Sequence, residues 1–77
     1  MKRYFFDLIE VETIIDEDGV LLSDAEDARR HAIAAGCSIL QDVAREKSHS
    51  GLEIRIRDDQ GSEVHRLRFI CDVQDAA

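Results

Sequence analysis

Four arginines near the C-terminus, Arg55, Arg57, Arg66 and Arg68, come closest to a constellation with a chemical function. A guanidinium is permanently charged and carries a planar fork of donors that matches phosphate and carboxylate oxygens. Arg55 and Arg57 alternate with Leu52, Ile54 and Ile56, while Arg66 and Arg68 alternate with Leu67, Phe69, Cys71 and Val73. Along an extended chain successive side chains point to opposite faces. All four arginines therefore share one face and the aliphatic residues the other. The turn Asp58-Asp59-Gln60-Gly61 between the two runs predicts an antiparallel register in which Glu53 faces Arg68 and Arg55 faces Arg66. The first pair is of opposite charge. The second sets like charges against each other, which destabilises a sheet unless a further group answers it.

Two answers are available. An external anion, such as a nucleic-acid phosphate or the acidic surface of a partner, would make the arginine face a binding site. An internal carboxylate from a neighbouring strand would neutralise it, and Asp7, Glu10 and Glu12 are the candidates. The chain has 17 acidic residues against 10 basic ones, which favours the internal carboxylate. Ile70 falls on the same face, together with Phe5 and Ile9. Apolar residues beside arginine are a composition enriched at protein interfaces. An RNA-binding sheet would be expected to expose several aromatic stacking platforms, and Phe5 is a single one.

Other residue types of chemical interest point to structure. Asp16-Glu17-Asp18-Gly19 has the acidity of a calcium loop, and Asp27 is the twelfth residue counted from Asp16. Val20 and Leu22 nevertheless occupy positions where such a loop needs oxygen ligands, so the segment reads as a solvated turn. Asp58-Asp59-Gln60-Gly61 reads the same way. His31, His49 and His65 have no metal-ligand spacing, and none accompanies a candidate nucleophile. By alternation His65 falls inward opposite Ile56, at the rim of the core. Cys37 and Cys71 are too few and too isolated for a disulfide framework or a zinc site, and both read as small core residues. No catalytic residue, metal ligand or cofactor motif is expected.

The elements that hold these residues follow from periodicity. Arg3–Ile9 is rich in aromatic and branched residues and predicts a strand, with Tyr4, Phe6 and Leu8 on one face and Phe5, Asp7 and Ile9 on the other. Thr13–Ile15 and Val20–Leu22 flank an Asp-Gly dipeptide and predict the short arms of a hairpin. Ser23-Asp24-Ala25-Glu26 matches a capping box, with Ser23 as the cap. Behind it Ala25, Ala28, Ala32, Ala35, Ile39 and Val43 recur at helical spacing, flanked by Gly36 and Leu40. Arg45 and Lys47 are placed in the last turn, and Gly51 is a candidate left-handed cap. Leu52–Arg57 and Val64–Val73 complete a second hairpin. The expected architecture is α+β: an antiparallel sheet of three main strands plus short hairpin arms, in the order β-β-α-β-β, with one amphipathic helix on one face.

Seventy-seven residues make a single domain, spanning 1–77. Below roughly 80 residues one core supplies only a few kcal/mol, so small domains recruit disulfides, metals or a second subunit. Only the last has support here. The net charge of −7 opposes long-range attraction to nucleic acid or anionic membranes. The N-terminus has no signal-peptide pattern, and no stretch approaches the length of a membrane span, so a cytoplasmic protein with reduced thiols is expected.

Tyr4-Phe5-Phe6-Asp7-Leu8, the acidic turn ending in Gly19 before Val20-Leu21-Leu22, Ala28-Arg29 in an alanine-rich helix, and Ile56, Asp58 and Gly61 in the closing hairpin together resemble a family of short, functionally uncharacterised proteins abundant in alphaproteobacteria. The resemblance runs from about residue 3 to residue 70 and implies a self-contained domain. It transfers no activity, so the functional expectation rests on the residues. That expectation is a non-enzymatic interaction module without cofactors, self-associating through the outer sheet face or an edge strand. The candidate surface is Arg55, Arg57, Arg66, Arg68 and Ile70. Nucleic-acid binding through the arginine face is the alternative, and no membrane partner is expected.

Overall fold

A computed structural model describes residues 1–74. Its elements are β1 (Lys2–Ile9), β2 (Thr13–Ile14), β3 (Val20–Leu22), α1 (Ala25–Ala44), β4 (His49–Arg57) and β5 (Glu63–Asp72). The sheet is antiparallel with order β2-β1-β4-β5, and β3 also pairs with β1. The expected α+β class holds, with the two short arms counting as strands in their own right. No helix among the described residues is long and apolar enough to cross a membrane.

The Asp-Gly segment does not fold its arms onto each other. β2 pairs with the end of β1 (Leu8 with Ile14, Ile9 with Thr13) and β3 with its beginning (Lys2 with Leu22, Tyr4 with Val20). The two behave as one interrupted partner of β1, in which residues 15–19 stand opposite only Phe5, Phe6 and Asp7. The tight hairpin turn that Asp-Gly favours, type I′, needs positive φ at both central residues. Gly19 supplies one (φ +72°), and no residue other than glycine adopts positive φ among those described. The Asp16 carboxylate shapes the loop instead, its Oδ1 accepting from the amides of Asp18 and Gly19 at 3.1 Å each.

The helix starts one residue later than the capping-box reading. Asp24 is the N-cap and its carboxylate accepts from the Asp27 amide at 2.8 Å, while Ser23 donates to the Asp27 carboxylate. A carboxylate is the better cap because its charge also meets the positive end of the helix dipole. The last turn holds no basic residue, since the helix ends at Ala44 with Arg45 as cap; the Glu46 and Lys47 amides both close on the Val43 carbonyl. Gly51 is not a cap at all. It lies within β4, opposite Ile70.

The buried stripe on α1 runs through Ala28, Ala32 and Gly36, whereas Ala35 is exposed. A Cβ at Gly36 would come within 2.3–2.7 Å of the Phe69 ring, so the absent side chain is the seat for that ring. Ala28, Ala32, Leu52, Ile54, Ile56 and Tyr4 form the buried core, with Phe6, Leu8, Leu67 and Phe69 packed around it. Cys37 is exposed on the helix, contrary to its reading as a core residue, and Cys71 is half-buried. Ile56 faces His65 as expected, but Arg57 faces Glu63, which leaves Val64 as the extra residue of a bulge at the start of β5. Val73 lies just past β5 and is largely exposed rather than inward.

Candidate interaction surface

On the face of the sheet away from α1, the register is the one the sequence predicts: Glu53 opposite Arg68 and Arg55 opposite Arg66. One strand further, Asp7 of β1 stands beside Arg55 and Phe5 beside Arg57. Asp7 points outward from the sheet and yet is completely buried. Arg55, Arg57 and the loop of residues 15–19 close over it.

The Asp7 carboxylate is saturated. Oδ2 accepts from Arg55 Nε at 2.9 Å and from Arg57 Nε at 2.7 Å. Oδ1 accepts from Arg57 Nη2 and from the Asp16 amide, both at 3.0 Å. A carboxylate offers about four lone-pair positions, and all are used. Arg57 Nη2 also donates to the Asp16 carbonyl at 3.0 Å, and its guanidinium lies over the Phe5 ring, 5.1 Å from the centroid. Burial disfavours the Asp7 anion, but the hydrogen bonds from Arg57, the Asp16 amide and Arg55, with the charge of Arg57, outweigh it. They bring the pKa down from 3.8 to about 2. Such a carboxylate has no free lone pair and no affinity for a proton at neutral pH, so it is not a general base.

The remaining arginines also have carboxylates. Arg66 Nη2 meets Glu63 at 2.7 Å and Arg68 Nη2 meets Glu53 at 3.5 Å. Asp7 is thus the internal carboxylate among the three candidates; Glu10 and Glu12 form no ion pair with the four arginines.

Asp16 is the contributor that sequence reasoning missed. Its Oδ2 accepts from the Phe6 amide at 3.0 Å, taking the place of the carbonyl that an uninterrupted partner strand would offer. Burial opposes its ionisation, and the amides of Phe6, Gly19 and Asp18 overcome that and lower its pKa. An aspartate two residues before Asp-Gly is a turn signal. That it also closes over Asp7 and Arg57 was not readable from spacing.

The other end of the outer face is open and apolar. A shallow groove of about 400 Å³ is lined there by Ile9, Val11, Gly51, Glu53, Arg68 and Ile70, among others. It exists because Gly51 leaves no side chain between Ile9 and Ile70. Ile70 itself is 64% exposed. Of the five candidate surface residues, the structure therefore gathers Arg68 and Ile70 around one groove, while Arg55 and Arg57 belong to the buried Asp7 cluster.

A family model described as Domain of unknown function (DUF6894) matches residues 3–70, and the chain belongs to that family. No curated protein matches the chain, and neither does any solved structure.

Proposed function

We propose that this member of the family is a non-enzymatic protein-interaction module that self-associates through the open end of its outer sheet face or through an edge strand. The observation that carries the reading is Ile70, exposed on the edge strand β5 beside an apolar groove. A small core gains stability when such a surface is covered by a second subunit. Nucleic-acid binding loses its main support, because each arginine of the face already has a carboxylate and the chain as a whole repels phosphates. The two free cysteines, one of them exposed, suit the reducing interior of a bacterial cell.

The test is the mass in solution. Sedimentation equilibrium is expected to give a concentration-dependent mass rising toward twice the 8.7 kDa of one chain. A mass that stays at one chain up to millimolar concentration overturns the proposal.

A further inference from the structure

The sheet has two edges, and they are built differently. One is the interrupted β2–β3 edge, which is broken by residues 15–19 and carries Glu12, Glu17 and Asp18 around the break. Short, interrupted edge strands are one of the means of keeping a sheet edge from pairing with another chain. The opposite edge is β5, which pairs with β4 alone and, after the bulge at Val64, runs without interruption to Asp72. The Val73 amide donates to the Ser48 carbonyl. Backbone groups alternate in direction along a strand, so Leu67, Phe69 and Cys71 direct theirs to β4. Arg66, Arg68, Ile70 and Asp72 direct their amides and carbonyls to the free edge.

The geometry points to a two-fold dimer in which β5 pairs antiparallel with β5 of a second copy, with the axis at Ile70, so that Ile70 meets Ile70 and Arg68 meets Asp72 across the interface. This rests on the self-association proposed above and names the surface and the register. Charge and the covering of Ile70 together decide the register. An axis at Arg66 or at Arg68 would set a guanidinium against its own copy. One at Leu67 would set Arg66 against Arg68, and each of these arrangements is repulsive. An axis at Phe69 would set Arg66 against Asp72 but Ile70 against Arg68, which leaves both exposed isoleucines without an apolar partner. With the axis at Ile70, both exposed isoleucines are covered by each other next to the Gly51 grooves. Within one chain Glu53 pairs with Arg68, and His49 stands 3.6 Å from Asp72. The axis at Ile70 places the Glu53–Arg68 pair of one copy next to the second copy's aspartate, so that Arg68 lies between two carboxylates across the interface. On the helix side Phe69 meets Cys71, apolar against apolar. The contact is isologous, so it closes at two copies.

Charge reversal with rescue tests the register. Arg68→Glu and Asp72→Arg each turn two symmetry-related attractions into two repulsions, and each is expected to lower the association constant about tenfold. The double variant Arg68→Glu/Asp72→Arg restores opposite charges and is expected to recover dimerisation to within about threefold of the wild type. These side chains are exposed, and far-UV circular dichroism verifies that each variant is folded. Wild-type protein that remains monomeric overturns both this register and the reading beneath it. A wild-type dimer that neither single variant weakens, or that the double variant fails to restore, overturns the register and leaves self-association standing through another surface.

Discussion

Asp7 shows how much of an apparent binding feature a single carboxylate can absorb. It sits on the solvent-side face of the sheet, yet its oxygens receive four donors from Arg55, Arg57 and the Asp16 amide. A buried charge left without such partners is costly, so these contacts are a condition of its burial as an anion. The consequence for stability follows from its depressed pKa. Stabilisation by Asp7 is complete above the unfolded value of 3.8 and is lost as pH falls through the folded value of about 2. A protonated Asp7 and an asparagine present similar neutral shapes. The stability gap between wild type and Asp7→Asn is therefore expected to be about 2 kcal/mol at neutral pH, to narrow as pH falls from 3.8 toward 2, and to close below that. Denaturant titrations of both proteins across that range measure it. A gap that stays constant with pH would assign Asp7 a role of shape rather than charge.

At the scale of elements, two local choices determine which faces are covered. The loop between β2 and β3 replaces a continuous strand, and Asp16 supplies the acceptor that Phe6 would otherwise lack. On the other face, Gly36 lets Phe69 of β5 lie against the helix backbone. Glycine in a helix interior costs up to about 1 kcal/mol relative to alanine. Here the gain from replacement meets a ring already within 2.3 Å of where the new methyl would stand. Gly36→Ala is expected to destabilise the domain by about 1 kcal/mol net, the overpacking cost exceeding the propensity gain. In a Phe69→Leu background the contacting ring atoms are gone, and the same substitution is expected to become neutral or stabilising. A double-mutant cycle by chemical denaturation reads the change of sign; two equal effects in the two backgrounds would exclude the ring as the cause.

At the scale of the whole molecule, charge works against the proposed dimer at long range and for it at the contact. Two chains of net charge −7 repel each other. That repulsion is strongly screened on going from about 10 mM salt, where the Debye length is about 30 Å, to about 150 mM, where it is about 8 Å. The two Arg68–Asp72 contacts weaken over the same range, but exposed pairs of this kind contribute little each. The association constant is accordingly expected to rise with salt. Sedimentation velocity at the two ionic strengths checks this, and an association constant that falls would reject the balance drawn here. Binding to a nucleic acid would have the opposite sign, weakening steeply as salt rises.

Alternation along Leu52–Arg57 and Leu67–Cys71 was enough to set the final hairpin, its inward residues and the facing pairs Arg55–Arg66 and Glu53–Arg68. Those facts are local, because period two and a short turn leave little freedom of register. The helix was legible for the same reason, and its cap fell one residue away because Ser23 and Asp24 are both good caps and the charge of Asp24 also meets the helix dipole. What the sequence did not contain was which strands lie beside that hairpin and beside β1. That β2 and β3 both lie along β1, that Asp16 closes over Asp7, and that Asp7 rather than Glu10 or Glu12 meets the arginines are outcomes of strand order. Strand order is set by which arrangement buries the apolar face under the helix while satisfying every buried charge at once. No window of neighbouring residues carries that sum, and only the folded chain evaluates it.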